Sequence, residues 1–237
     1  MTADAAAAQI TYPISTIAIE RAVRLVATAR LRDPVLLGLV GAAHLDDLAE
    51  IEGATSARLQ QQARGSGALA ARELVSALPH AAFINAAFTY WRPREQNRFN
   101  GPGRGAWYAA LHVDTCIAEV SFHLVRELER VNYFSATVDY AEMFASFAGQ
   151  FADLRHVKPA PACLNPDIAI GYPAGNAFAD TVRADGKNGI VSPSVRHNGG
   201  TCLVALWPTA VQSVTQGRVL RLQWKGGRAP KVDILSG

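Results

Sequence analysis

The stretch from Tyr90 to His123, YWRPREQNRFNGPGRGAWYAALHVDTCIAEVSFH, constrains the fold more than any other part of the chain. It passes from charged, glycine-rich sequence into a short apolar strand, Ala106 to Leu111, and then into a helix. Ile117, Val120, Leu124, Leu128 and Val131 recur three and four residues apart, which builds one buried seam on that helix, and Asp114 or Thr115 is placed to cap it. Glu119 lies off the seam. A cationic loop, a strand and a helix carrying an acid therefore follow one another directly, an order that can hold a phosphate-bearing ligand beside a carboxylate.

Around this unit the pattern changes character. Residues 1 to 15 are small and polar and are expected to be ragged. Ile17 to Ala29 alternates apolar with basic residues and suits a helix or a first strand; a strand over Val23 to Thr28 is favoured. Val35 to Ala63 has mostly helical spacing, interrupted near Gly53, and Ala63 to Ala68 is a short connector. Helical patterning resumes from Leu69 to Leu78, before Pro79. Beyond the central helix, Phe134 to Phe147 alternates as a strand, with Phe151 to Arg155 a turn after a second short one. The segment from Lys158 to Pro166 is loop, Ala177 to Ala184 a short helix, and Ile190–Val195, Cys202–Trp207 and Val219–Trp224 are strands. Helices early and strands late describe an α+β domain.

Composition narrows the function classes. The chain has 237 residues, 49% hydrophobic and 18% charged, within the globular range. A net charge of +3, from 23 basic against 20 acidic residues, does not argue for nucleic acid. Cys116, Cys163 and Cys202 form no CxxC pair, which suits a reducing compartment, so a cytoplasmic protein is expected. The first ten residues lack the basic and apolar regions of a secretory signal, and no run of about 18 apolar residues occurs, so no membrane span is expected.

Several motifs fail on inspection. Gly101, Gly103 and Gly105 are spaced GxGxG and precede a strand, unlike a dinucleotide fingerprint. His112 and His123 show no HExxH spacing, so no metal is expected. Ser194 lacks the GxSxG elbow of a serine hydrolase, but beside Arg196 at a strand end it can hydrogen-bond a ligand. Among Arg92, Arg94, Arg98 and Arg104, a solvated surface is as good a reading for three; Arg98 differs, because burial of Phe99 would leave its guanidinium aimed, and arginine suits bidentate phosphate binding.

NRFNGPGRGAWYAALHVDTCIAEVSFH and NGIVSPSVRHNGGTC together resemble the RES-domain family, toxins of bacterial toxin–antitoxin pairs. The resemblance is carried by Arg98, by Tyr108 ten residues on, by Glu119 eleven further, and by Ser194, and it extends roughly from Val23 to Trp224. It implies an ADP-ribosyltransferase-like fold with N-terminal helices and a central mixed or antiparallel sheet. The implied layout is a single domain over 16–237, helical to about 80 with a catalytic core over about 81–225. NAD would be the substrate, with no metal, and its nicotinamide–ribose bond would be split and the ADP-ribose passed to phosphate, water or a protein. In that reading Arg98 holds the pyrophosphate, Tyr108 meets the nicotinamide–ribose end, Glu119 faces the ribose and Ser194 fixes the ligand. Thr115 stands for the family's small residue four before the glutamate, and a first-strand arginine matches Arg24, with Arg21 and Arg30 open. Where compact members have GGRWN, this chain has NRFN. The implied partner is a helix-turn-helix antitoxin of the Xre type, with neither direct nucleic-acid binding nor a membrane, and homo-oligomerisation is left open. The alternative is a catalytically silent module that keeps the fold and pairs with a regulator.

Overall fold

The structure, a computed structural model, describes residues 11–31, 69–89 and 96–236. The helical segments expected within 35–63, the connector at 63–68, and Tyr90, Arg92 and Arg94 lie outside them. Within them the order is β1 (Ile14–Ala27), α1 (Ala81–Thr89), β2 (Trp107–Ala110), α2 (Val113–Arg130), β3 (Ser135–Asp153), α3 (Ile168–Ala184), β4 (Gly189–Pro193), β5 (Thr201–Ala205), β6 (Gln212–Lys225) and β7 (Lys231–Ser236). This is an α+β fold on one mixed, mostly antiparallel sheet of seven strands, in the order β1-β2-β5-β4-β3-β6-β7.

The sheet also closes on itself. β3 is long enough to pair along one edge with β1, from Tyr140 to Ala152, and along the other with β6 and then, in parallel, with β4. The pairings β1–β2, β2–β5, β5–β4, β4–β3 and β3–β1 make a ring of five strands, from which β6 and β7 extend. Inside the ring lie Trp107, Met143, Phe147, Phe151, Val191 and Leu203, with Ile84 and Phe88 of α1 packed on them. On β1 the inward residues change from odd to even, Ile17 and then Ala22 and Val26, because a bulge interrupts the register between Ile19 and Ala22.

With its interior filled, the ring leaves only its outer face for the two long helices. α3 packs through Phe178, Ala179 and Val182 on Ala152, Ile190 and Val204. α2 packs through Cys116 and Leu128 on Val23, Leu25 and Ala110. Its seam ends at Leu128, since Val131 is the C-cap residue and 54% exposed. Asn132 follows in the left-handed region (φ 52°), and the Tyr133 N–H returns to the Leu128 carbonyl, closing the helix end.

Several expectations are corrected. Residues 11–15 are not ragged: the Tyr12 hydroxyl donates to Asp185 at 2.5 Å and its ring meets Phe178 edge-on at 5.1 Å. Leu69–Leu78 holds only one 3-10 turn, Ala71–Glu73, and the helix comes after Pro79. Neither Asp114 nor Thr115 caps α2; the N-cap is His112, in extended conformation, and Asp114 sits in the first turn, where its charge suits the helix dipole. β3 is one strand through Asp153, where a strand to Phe147, a second short strand and a turn from Phe151 were expected. α3 begins nine residues earlier than expected, at Ile168, with Asp167 Oδ1 accepting from the Ala169 N–H at 2.9 Å. β7 was not foreseen.

Where β3 meets β4, Asp153 is nearly buried and accepts from Ser15 Oγ at 2.8 Å and from Arg155 Nε at 2.8 Å and Nη2 at 2.5 Å. Hydrogen bonds from the Arg155 guanidinium hold this carboxyl well below the usual aspartate range. Asp153→Asn is therefore expected to lower unfolding stability by about 1–2 kcal/mol at pH 7, in urea titrations. A depressed native pKa contributes stability above the unfolded value, so the difference between the two proteins should shrink as pH falls below about 4. A constant difference across that range would show that the carboxylate charge is not what matters.

Candidate active site

On the outer face of the ring, between the strand positions that α2 and α3 pack against, polar residues gather. The register places Tyr108 opposite Val204, Ala110 opposite Cys202, and Cys202 opposite Ser192, all on this face. Glu119 comes to it from α2, Ser194 from the turn after β4, Arg98 from the turn before β2, and Tyr172 from α3.

Glu119 and Ser194, far apart in sequence, are in direct contact. The backbone N–H groups of Arg196 and His197 both donate to Ser194 Oγ, at 3.1 and 3.0 Å. With its lone pairs so engaged, the hydroxyl directs its proton to Glu119 Oε1 at 2.7 Å. Cys202 Sγ approaches the same oxygen at 3.6 Å. Burial, together with the Glu119 charge, pushes this thiol far above the ordinary cysteine range, so it stays protonated and can donate to that oxygen.

The turn carrying Arg98 is fastened from two sides. Tyr108 Oη accepts from the Phe99 N–H at 3.0 Å and donates to Asn100 Oδ1 at 2.8 Å. Burial raises this phenol well above the ordinary tyrosine pKa, which keeps it a neutral donor. From α3, Asn176 Nδ2 donates to the Asn97 carbonyl at 2.7 Å. The guanidinium lies along the start of α3, its Nη1 donating to the carbonyls of Cys163 (2.7 Å) and Asn165 (2.9 Å), with its carbon 5.5 Å from the Tyr172 ring centre. Glycine makes this approach feasible. A Cβ at Gly175 would lie 2.0 Å from the Arg98 carbonyl oxygen, and one at Gly171 2.6 Å from Arg98 Nη1.

Arg196 completes the cationic side. Its Nη2 donates to the Pro166 carbonyl at 2.9 Å and its guanidinium carbon lies 3.4 Å from the centre of the Phe122 ring. Burial, and then the Arg98 charge, depress its pKa. Arg98, Arg126 and Glu119 all act electrostatically on Tyr172, Arg196 and His123, so these groups share one field. Glu119 shares this field with Arg98, Arg126 and Arg196, an arrangement that can bind a polyanion and oppose a developing cation.

The structure thus brings together Arg98, Glu119, Ser194 and the edge residue Tyr108. It places two predicted residues elsewhere. Thr115 is wholly buried on α2, its Oγ1 2.9 Å from His197 Nδ1. Arg24 points with Ala22 and Val26 to the inner side of the ring, its guanidinium 4.9 Å from the Trp107 ring, while Val23 and Leu25 face α2. Arg21 stacks on Phe144 at 3.7 Å. Tyr172, Arg126 and Phe122 were missed; helical spacing from Glu119 could have suggested Phe122 and Arg126, but nothing local marks Tyr172.

A RES-domain family model matches residues 73–225, well over half of the chain. No curated protein sequence matches it. Among solved structures there is a likeness to the MbcT–MbcA toxin–antitoxin complex of M. tuberculosis, at 15% identity over 53% of this chain and 71% of that one, with a TM-score of 0.37.

Tyr108→Phe is expected to lower stability by about 1–2 kcal/mol, measured by urea midpoint, because a buried amide and the Asn100 side chain lose their partner. Amide exchange at Phe99 should quicken. An unchanged midpoint and exchange rate would show that the hydroxyl does not fasten the Arg98 turn.

Proposed function

The chain belongs to the RES-domain family, and from that premise we propose that it is an NAD-cleaving enzyme acting as the toxin of a toxin–antitoxin pair. The observation that carries this reading is the Glu119 carboxylate, held by the Ser194 hydroxyl and sharing one electrostatic field with Arg98, Arg126 and Arg196. The arginines bind the pyrophosphate, which positions the nicotinamide ribose over Glu119. The bond between C1′ and the nicotinamide nitrogen breaks, its electron pair leaving with the neutral nicotinamide. Positive charge then develops on the ribose, and the carboxylate opposes it as it forms. Nicotinamide is already a good leaving group, so no general acid is needed.

The acceptor then adds at C1′. Phosphate, water and a protein group are the three candidates, and the arginines favour an anionic one. Glu119 is the carboxylate that acts on Tyr172, Arg196 and His123. A cytoplasmic enzyme of this kind needs restraint in its own host, which an Xre-type helix-turn-helix antitoxin covering the site would supply; this rests on the family alone. The alternative is a silent interaction module. It is favoured by the two backbone carbonyls on Arg98 Nη1, a bond that a purely structural arginine would also make.

The test is nicotinamide release from NAD by the purified protein, with phosphate varied. Glu119→Gln keeps the shape and should lower kcat by about a hundredfold or more with NAD affinity and melting temperature largely kept. Normal turnover in this variant would remove the mechanism, and no release by the wild type under any acceptor would favour the silent module. Arg98→Ala should weaken NAD binding by roughly 1.5–3 kcal/mol. It should also lower stability, because Nη1 satisfies two carbonyls.

A further inference from the structure

Besides the stacking of Arg196 on Phe122, the turn from Ser194 to Gly200 meets α2 through polar side-chain contacts at two residues one helical turn apart on the same face. At one point Ser194 Oγ donates to Glu119 Oε1; at the other, His197 Nδ1 lies 2.9 Å from Thr115 Oγ1. The second contact has no part in the chemistry above, yet it is the more completely enclosed, since Thr115 has no solvent exposure. It is also built for. A Cβ at Gly200 would lie 2.6 Å from Thr115 Oγ1 and 3.0 Å from His197 Nδ1, so only a residue without a side chain lets the pair close.

The two contacts are linked through the backbone. His197 N–H donates to Ser194 Oγ, the Gly200 N–H to the His197 carbonyl at 3.0 Å, and the Ser194 N–H to the Gly200 carbonyl at 2.8 Å. The residue whose ring rests on Thr115 is thus one of the two that occupy the Ser194 lone pairs. Glu119 and the Arg196 contacts with Phe122 and Pro166 hold the first half of the turn; the Thr115 contact holds the second half, at the residue whose amide reaches Ser194 Oγ.

From this we infer that Thr115 and His197 are positioning residues, whose contact fixes the Ser194–Gly200 turn so that Ser194 aims the Glu119 carboxylate. Thr115 acts through the turn and does not touch the substrate. The consequence for turnover rests on the role proposed above for Glu119; the consequence for the turn does not.

Thr115→Val removes the hydroxyl and keeps the shape, and Thr115→Ser keeps the hydroxyl. Hydrogen exchange at the Arg196 and His197 amides, the two that donate to Ser194 Oγ, should quicken roughly tenfold in Thr115→Val and stay near the wild-type rate in Thr115→Ser. In nicotinamide release, Thr115→Val should lose roughly tenfold in kcat with KM kept within about twofold, and Thr115→Ser should recover it. If Thr115→Val does not fold, His197→Phe, at a half-buried turn position, carries the same measurements. Unchanged exchange at both amides in a folded variant would overturn the inference, as would a raised KM with kcat kept. If the wild type releases no nicotinamide, the proposed activity falls, and amide exchange alone decides between a positioning contact and an idle one.

Discussion

The double pairing of β3 is the constraint on which the rest of the structure depends. One nineteen-residue strand serves β1 on one edge and both β6 and β4 on the other, so it closes the ring and carries the extension as well. A closed ring abolishes the edges that would otherwise seek partners. It also has an interior just large enough for side chains, here filled by Trp107, Phe147 and Phe151. Both long helices then lie outside, on the same face, and the register sets Tyr108, Cys202 and Ser192 on that face between the positions the helices pack against.

That site is organised by hydrogen-bond direction as much as by charge. The Ser194 hydroxyl has two backbone donors on its oxygen, so its own proton is committed to Glu119, and the neighbouring Cys202 thiol stays protonated beside the same oxygen. The carboxylate is therefore pre-oriented before any ligand arrives, which is how electrostatic stabilisation avoids reorganisation during reaction. Arg98 is similarly pre-set, its turn tied by Tyr108 and Asn176, its guanidinium laid against Gly171 and its backbone carbonyl against Gly175 of α3.

The central strand and helix were legible in the sequence because their apolar patterns are local and regular. The contact of Glu119 with Ser194 was not legible from spacing; the family resemblance named both residues. The start of α3 was hidden because Gly171, Pro173 and Gly175 look like helix breakers, whereas the two glycines are there to admit the Arg98 turn. β1 concealed its alternation because the bulge after Ile19 reverses which residues face inward. The resemblance matched Arg24, with Arg21 and Arg30 open, to a family arginine on the first strand, and strand parity turns Arg24 towards Trp107. Tyr172 and the carbonyls that hold Arg98 and Arg196 are long-range contacts, and single residues in loops and helices carry no pattern that announces them.

The most direct test of the central claim is a crystal structure of the Glu119→Gln variant with NAD. The account predicts NAD at the site between α2 and α3, its pyrophosphate against the Arg98 and Arg196 guanidinium groups and the nicotinamide ribose C1′ roughly 3–4 Å from the side chain at position 119. NAD bound elsewhere, or bound with its ribose turned away from position 119, would contradict it.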